Sequence, residues 1–327
     1  MLFEPLKVKG ITLRNRYVMP PMVTHMGVTT SQAIAYYRER ARGGVGLIIV
    51  EAVHVDRFSD GHFINGLKHL AEAVHGEGAA IAIQLFHNNV FDCEEVTVSS
   101  ITVEQIERMK RKFVYAALKA REAGFDGVEL HGAHGYFLNQ FFSPEHNKRT
   151  DEYGGSLEGR MRMGIEIVSA IKEALDPEAV ILYRHTPVAM GYTLDESIRF
   201  AQELEEAGVD ILDISPSTAE GGEHAGLAAA IKREVSIPVI AVGGMEDPEK
   251  AEAALKEGKC DLVAVGRGLI ADPYLPLKVK EGRIDQIVKC IKCGEGCSRN
   301  LWKGISITCT QNPEVGYELC RYRGKEG

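Results

Sequence analysis

The sequence predicts an α/β fold, a (β/α)8 TIM barrel followed by a cysteine-rich segment. Between Tyr17 and Asp285, eight short apolar runs rich in β-branched residues alternate with helical patterns, and this alternation is typical of a parallel sheet. Eight such units in about 270 residues fit a barrel better than an open doubly wound sheet. The first strand–helix turn, P-P-M-V-T-H-M-G, also lacks the G-x-G-x-x-G pattern of a dinucleotide-binding Rossmann unit.

The predicted strands are separated by segments of helical periodicity. The strands cover residues 17–23, 45–53, 79–86, 126–131, 179–186, 209–215, 237–244 and 260–266, and helical patterns include 102–123, 156–175, 193–207 and 247–257. Gly124, Gly208 and Gly258 follow three of these helices, where C-cap glycines are expected. Residues 1–287 are therefore predicted to form the barrel. Residues 288–327 contain too few apolar residues for a core of their own, so metal ligation would stabilise them.

Charge and composition exclude several classes of protein. The 327 residues carry a net charge of -8 with a pI near 5.8, which argues against nucleic acid or an anionic membrane as a partner. No run approaches the roughly 18 uncharged apolar residues of a membrane span, and the N-terminus lacks the pattern of a signal peptide. Seven cysteines, four of them clustered, suit a reducing compartment better than a disulfide framework. The sequence therefore predicts a soluble, cytoplasmic protein.

Four cysteines near the C-terminus have a spacing that indicates a metal site. Cys290, Cys293, Cys297 and Cys309 form a C-x2-C-x3-C-x11-C array. Clustered thiolates select zinc, copper(I) or iron–sulfur clusters, and four of them fit either tetrahedral zinc or a 4Fe-4S cluster. Two C-x2-C pairs would favour zinc, whereas this array has one such pair and then an x3 step. The spacing favours iron–sulfur over structural zinc and leaves disulfides or unpaired core thiols as further alternatives.

Polar side chains and glycines stand at the predicted strand ends, where barrels carry their function. The polar residues are Gln84, Glu129, His131, Arg184, Asp213 and Ser215, too many to explain by packing. The last two strands end in V-G-G-M and V-G-R-G, which contain Gly243, Gly244, Gly266 and Arg267. Backbone N–H groups at such glycines commonly bind phosphate in barrels, and an arginine adds a charge-assisted pair. These residues predict a phosphate-bearing ligand, the alternative being ordinary turn glycines.

The fourth strand is followed by H-G-A-H-G-Y, which contains His131, His134 and Tyr136. Two histidines three residues apart at the mouth of a barrel could both donate hydrogen bonds to one substrate oxygen, with the tyrosine as a proton donor beside them. The alternatives are a metal-binding pair or buried structural histidines. No carboxylate stands at the spacing that would complete a zinc site, so the three residues are predicted to be catalytic.

At these residues the chain resembles the Old Yellow Enzyme family of flavin mononucleotide (FMN) barrels. The resemblance begins with L-F-E-P-L-K-V-K-G-I-T-L-R-N-R-Y-V-M-P-P-M, is most specific in E-L-H-G-A-H-G-Y-F-L-N-Q-F-F-S-P-E-H-N-K-R-T-D-E-Y-G-G-S-L-E-G-R, and covers essentially the whole chain. The cysteine array followed by N-P-E-V-G-Y-E resembles the branch that contains bacterial 2,4-dienoyl-CoA reductase and trimethylamine dehydrogenase. In that branch such an array holds a 4Fe-4S cluster.

The resemblance implies a role for each candidate residue. The FMN-binding set comprises Pro21, Met22 and Val23 along the flavin, Gln84 at its pyrimidine edge, Arg184 near N1, and Gly243, Gly244, Gly266 and Arg267 at its phosphate. His131 and His134 would bind the substrate carbonyl oxygen, and Tyr136 would donate the proton. Cys290, Cys293, Cys297 and Cys309 would ligate the cluster.

Together these expectations describe an FMN- and 4Fe-4S-dependent ene-reductase that reduces C=C bonds conjugated to a carbonyl or thioester. Val23 and His131 stand where trimethylamine dehydrogenase has its flavin-bonding cysteine and a tyrosine, so an amine dehydrogenase ranks below an ene-reductase. Larger relatives continue into FAD- and NAD(P)-binding domains, which implies that NAD(P)H or ferredoxin acts indirectly, through a separate donor protein. An electron-transfer subunit of a larger complex and a phosphosugar-type barrel with structural zinc are the remaining alternatives, and homo-oligomerisation is left open.

Overall fold

The predicted barrel is confirmed, and it closes between the first and last of its eight parallel strands. The computed structural model describes residues 1–91, 94–189, 191–217 and 224–323. Its strands are β1 Leu6–Val8, β2 Ile11–Leu13, β3 Tyr17–Met19, β4 Leu47–His54, β5 Ala80–Phe86, β6 Val90–Phe91, β7 Glu94–Glu95, β8 Gly127–Gly132, β9 Val180–His185, β10 Ile211–Ile214, β11 Val239–Val242 and β12 Leu262–Ala264. The barrel order is β3-β4-β5-β8-β9-β10-β11-β12, while β1-β2 and β6-β7 are separate hairpins. The closing pair aligns Val263 with Tyr17 and Ala264 with Val18.

Helices surround the barrel and link its strands. They are α1 Ser31–Arg42, α2 Gly61–His75, α3 Val103–Glu122, α4 Phe137–Phe142, α5 Leu157–Ala174, α6 Leu194–Ala207, α7 His224–Lys232, α8 Pro248–Lys256, α9 Arg267–Ala271, α10 Leu275–Lys280, α11 Ser298–Trp302 and α12 Glu318–Arg323. In the part of the chain that the structure describes, no helix combines the length and apolarity needed to cross a membrane.

Local sequence signals explain where the predicted helices begin and end. Thr102 and Thr193 each form a capping box, at the start of α3 and α6 respectively, and so satisfy backbone N–H groups that have no partner within the helix. Gly208 ends α6 with a φ of 118°, a left-handed conformation that glycine adopts without a steric penalty.

All eight predicted strands are present, but several end earlier than predicted. The strand predicted over 17–23 ends at Met19, because Pro20 and Pro21 have no N–H to donate to a neighbouring strand. The strand predicted over 237–244 ends at Val242, because Gly243 and Gly244 adopt φ angles of 110° and 75°. These early ends leave the residues at the carboxyl end of the barrel in loops.

The barrel interior is a packed apolar core closed at its amino end. The β1–β2 hairpin contributes Val8 and Leu13, which pack against inward-facing strand residues. The strand residues of this core include Val18, Leu47, Ile49, Ala82, Val180, Leu182, Ile211, Ile240, Leu262 and Ala264. Since side chains alternate along a strand, the next inward positions beyond Ala82 and Leu182 are Gln84 and Arg184, where the core becomes polar.

The cysteine-bearing segment packs against the carboxyl end of the barrel and against α1. The backbone N–H of Ile307 donates to the carbonyl of Thr24 at 2.9 Å, and Ile307 and Val315 join the core between barrel and helices. In α12, Glu318 pairs with Arg40 of α1 at 2.8 Å, and both side chains are buried. The segment therefore depends on the barrel for its apolar core.

We predict that Glu318→Gln destabilises the protein substantially, because it leaves the buried Arg40 guanidinium without its counter-charge. Breaking a buried ion pair lowers the free energy of unfolding by about 3–5 kcal/mol, measurable by chemical denaturation. The matched control is Glu203→Gln, which removes a solvent-accessible i,i+4 pair with Arg199 within α6 and should change stability by no more than about 0.5 kcal/mol. Equal effects from both substitutions would contradict the prediction.

Candidate active site

A cavity of about 350 Å³ opens at the carboxyl end of the barrel. It brings together most of the residues predicted to bind FMN or substrate: Pro21, Met22, Val23, Gln84, His131, His134, Tyr136, Arg184 and Arg267. Gly243, Gly244 and Gly266 do not line it and lie at the ends of β11 and β12. The predicted residues thus share one end of the barrel, and nine of them share one cavity.

The cavity floor carries a single buried positive charge. Arg184 is 6% exposed, lies 3.3 Å from a carboxylate oxygen of Asp213, and donates to the hydroxyl of Ser215 at 2.9 Å. Beside it, the Gln84 amide donates to Glu129 at 2.7 Å. Ser215 orients the Arg184 guanidinium. The sequence indicated Ser215 only as a polar residue at the end of a strand.

His131, His134 and Tyr136 form a cluster above this floor. The ring centroids of His131 and His134 are 5.5 Å apart, and those of His131 and Tyr136 are 4.8 Å apart. His134 has a φ of 58°, and its Nε2 lies 3.1 Å from Ser215 Oγ. The backbone N–H of His134 donates to Thr186 at 3.0 Å, which supports this left-handed conformation and turns the ring toward the cavity.

Both imidazoles of this cluster are neutral at pH 7. His134 is exposed as a whole residue, but desolvation of its ring at the cavity wall lowers its pKa to about 4, and the positive charge of Arg184 contributes further. Burial, followed by Arg184 and His134, lowers the pKa of His131 well below its usual range. A neutral imidazole retains one N–H donor and one acceptor, so each ring can donate a hydrogen bond to a substrate oxygen.

Apolar and aromatic side chains complete the wall, and the sequence pattern did not single them out. Phe86 packs edge-on against Tyr136 with ring centroids 5.4 Å apart. The cysteine-bearing segment contributes Cys297, Leu301 and Ile307 to the same cavity. Leu301 and Ile307 reach the cavity only when the segment packs on the barrel, and Cys297 was predicted as a metal ligand but not as part of this cavity wall.

The glycines after β11 and β12 leave room beside the cavity. A Cβ atom at Gly244 would meet no atom within 4 Å, whereas one at Gly243 would lie 2.3 Å from His224 Nδ1 and one at Gly266 would lie 3.2 Å from Met22 Sδ. The absence of side chains keeps this backbone accessible and lets Met22 line the cavity. The accessible backbone of these glycines could bind a phosphate, Pro21, Met22 and Val23 offer apolar contacts, and Arg184 offers a buried positive charge. Together these features fit a flavin with a phosphate.

The four cysteines of the array line a second, smaller cavity. Each is a free thiol, so the disulfide alternative finds no support. The two cavities share Arg267, Ile270 and Cys297 in their walls. The four thiols therefore face one common space, as a shared metal site requires.

One other group of potential metal ligands lies near the cavity. Ligand atoms of His54, Asp56 and His87 lie within 4.8 Å of one another. Backbone N–H groups donate to both rings, from Asp56 to His54 Nδ1 at 3.3 Å and from Asn89 to His87 Nδ1 at 3.1 Å, and Lys112 pairs with Asp56 at 2.7 Å. These hydrogen bonds and the ion pair explain why the three side chains lie together without a metal ion.

The fold and this cavity define a flavin-dependent oxidoreductase. The chain belongs to the NADH:flavin oxidoreductase / NADH oxidase family, whose model matches residues 1–90 and 88–286. The flavin of this family is FMN, which confirms the family that the sequence motifs indicate.

Individual relatives extend this comparison over nearly the whole chain. An NADH oxidase of Thermoanaerobacter brockii is 42% identical over 97% of this chain and 56% of its own length. A cinnamate reductase of Clostridium sporogenes is 30% identical over 97% of this chain and 58% of its own. The structure of a 2-naphthoyl-CoA reductase in complex with 2-naphthoyl-CoA has a TM-score of 0.91 and 29% identity, over 97% and 58% of the two chains. The chain thus spans little more than half the length of these relatives.

We predict that His131 and His134 take up no proton between about pH 5.5 and pH 8. The unfolded chain protonates histidine near pH 6.5, so holding these rings neutral reduces stability progressively as the pH falls below that value. The measurement is histidine side-chain NMR during a pH titration. His75 is the internal control, since its hydrogen bond to Asp126 raises its pKa. Titration of either cavity ring near pH 6.5 would contradict the prediction.

Proposed function

We propose that the protein is an FMN- and 4Fe-4S-dependent ene-reductase that acts on C=C bonds conjugated to a carbonyl or thioester. The observation that carries this proposal is the cluster of two neutral histidines and a tyrosine above the buried charge of Arg184. The names of two similar proteins, a cinnamate reductase and a 2-naphthoyl-CoA reductase, support a conjugated unsaturated acid or thioester as the substrate class.

In this proposal the FMN is held by residues 1–287. Pro21, Met22 and Val23 would lie along the flavin, and Gln84 and Arg184 would bind its pyrimidine edge, where positive charge favours the anionic reduced form. Gly243, Gly244, Gly266 and Arg267 would hold the phosphate. Hydride transfer to the β carbon of the double bond is the chemistry that FMN supplies when it is bound.

The side chains of the cluster complete the reduction. His131 and His134 donate N–H hydrogen bonds to the substrate carbonyl oxygen and stabilise the negative charge that develops there. Because both rings are neutral, they act as hydrogen-bond donors and not as acids. The hydroxyl of Tyr136 supplies the proton to the α carbon, which with one hydride balances the addition of two hydrogens across the double bond.

The cysteine array of residues 288–327 is proposed to hold a 4Fe-4S cluster. Cys290, Cys293, Cys297 and Cys309 all line one cavity. Their spacing, one C-x2-C pair followed by an x3 step, supports an iron–sulfur cluster over zinc. One-electron transfer is the chemistry that such a cluster would supply, and the shared wall at Cys297 and Arg267 would hold it next to the residues proposed to bind the flavin.

The electrons are proposed to originate from NAD(P)H or ferredoxin and to enter through the cluster. The donor is either a ferredoxin or an FAD-containing NAD(P)H module. Free thiols in a cluster-binding array suit a reducing compartment, which supports a cytoplasmic location.

An amine dehydrogenase would instead oxidise alkylamines and leave enoyl compounds unchanged, so a screen of enones, enoyl thioesters and alkylamines distinguishes the two activities.

We predict that Tyr136→Phe slows substrate reduction by about 10²–10⁴-fold, the usual contribution of a general acid, while reduction of the flavin is unchanged. The measurement is single-turnover oxidation of the chemically reduced protein by an enone or enoyl thioester, followed by flavin absorption. Tyr115→Phe is the matched control, because both tyrosines are 45% exposed and Tyr115 lies on α3 outside the cavity. An equal loss in both half-reactions would refute the role of Tyr136.

We predict that Cys293→Ser abolishes the cluster and the entry of electrons but leaves the catalytic cavity intact. The parent protein should contain about four iron and four sulfide per chain, and the variant should lose both while retaining FMN. The variant should still reduce substrate once its flavin is reduced chemically. Cys320→Ser is the control, since Cys320 lies on α12 outside the array. One zinc per chain and no iron in the parent would refute the cluster.

A further inference from the structure

Two buried carboxyl groups lie beneath the cavity floor, and the proposed chemistry does not use them. Glu129 on β8 and Asp213 on β10 have no exposed surface. Cross-strand register places Glu129 beside Gln84 and Asp213 beside Arg184. Among the described residues, Glu129 Oε2 and both carboxylate oxygens of Asp213 lack a hydrogen-bond partner.

If the two carboxyl groups share one proton, the single remaining negative charge offsets Arg184, and the carboxyl oxygens gain a hydrogen bond. Among the residues that the structure describes, Arg184 is the cation that acts on both groups, so two ionised carboxylates would leave a net negative charge in the barrel interior. Burying an uncompensated charge is strongly unfavourable, and adjacent carboxyl groups respond by holding one proton between them. If Glu129 is protonated at Oε2, its O–H can donate a hydrogen bond to Asp213. Glu129 Oε2 and one Asp213 oxygen then both have a partner.

The proton belongs on Glu129. Asp213 forms an ion pair with the guanidinium of Arg184 at 3.3 Å, whereas the hydrogen-bond donor to Glu129 is the neutral Gln84 amide. Burial raises the pKa of Glu129 well above its usual range, the negative charge of Asp213 raises it further, and the positive charge of Arg184 opposes the shift. Burial also raises the pKa of Asp213, and there Arg184 is the largest opposing influence.

We propose that Glu129 and Asp213 form an acid–carboxylate pair that shares one proton and positions Gln84 and Arg184 for the ligand in the cavity. Glu129 Oε1 accepts from the Gln84 NH2 group at 2.7 Å, so the Gln84 carbonyl remains available as an acceptor for an imide N–H. Asp213 balances the charge of Arg184 and holds its guanidinium. This inference rests on the proposed FMN site, because Gln84 and Arg184 are the residues assigned to the flavin pyrimidine.

Infrared difference spectroscopy of the flavin-loaded protein at about pH 8 tests the shared proton. The carbonyl stretch of a protonated carboxyl group should be present in the parent and absent in Glu129→Gln. Glu51→Gln is the matched control, because Glu51 is also buried but its pKa is about 7 and its carboxyl is largely ionised at that pH. A parent spectrum that Glu129→Gln leaves unchanged would overturn the proposal.

Stability as a function of pH gives a second readout that does not depend on activity. The raised pKa of Glu129 means that the folded protein holds a proton that the unfolded chain releases above about pH 4.5. The parent therefore loses stability as the pH rises through this range. Glu129→Gln removes that loss, so the Tm of the variant relative to the parent should increase between about pH 5 and pH 8. A constant or decreasing difference would indicate that Glu129 is ionised in the folded protein.

Flavin affinity tests the positioning role. Glu129→Gln keeps an acceptor for Gln84 and a donor for Asp213, so FMN affinity should stay within about twofold of the parent. Glu129→Ala removes both and should weaken binding about tenfold or more, as expected for the loss of a buried hydrogen bond. Equal affinities would overturn the positioning role. If the protein bound no FMN, the proposed function would fail, while the infrared band and the pH dependence of Tm would still report on the pair.

Discussion

The burial of Arg184 is the constraint on which the rest of the site depends. Its guanidinium stands where the apolar interior of the barrel meets the cavity and is only 6% exposed, so Asp213 and Ser215 must balance and orient it. After burial, the same charge is the next cause that lowers the pKa of both His131 and His134. One buried cation thus acts on the protonation of its neighbours and helps to keep the imidazoles neutral.

The position of the cysteine-bearing segment links two kinds of chemistry in one chain. Its residues form part of the wall of the larger cavity, and Cys297 and Arg267 belong to both cavities. Apolar residues of the segment complete the barrel's outer core, and the buried pair between Arg40 and Glu318 anchors its end. A redox group in the smaller cavity would therefore be held rigidly against a flavin in the larger one.

Features that depend on residue spacing along the chain could be predicted from the sequence. Contacts between residues distant in the sequence could not. Apolar periodicity located every barrel strand, and proline and glycine explain why β3 and β11 end early. Most candidate residues line the predicted cavity because all barrel strands point their carboxyl ends to one side. Phe86, Leu301 and Ile307 also line the cavity. The sequence did not predict this role, because no motif around these residues indicates which distant residues they contact.

The fold class, the residues that gather at the carboxyl end of the barrel, and the family could all be predicted from the sequence, because periodicity and motif spacing are local properties. The electrostatics of the site and the adjacency of the two cavities depend on the tertiary structure. Protonation depends on burial and on charges from other strands, as the pairing of Glu129 on β8 with Asp213 on β10 illustrates. Likewise, residues about 160 apart, such as Pro21 and Arg184, meet only when the barrel closes.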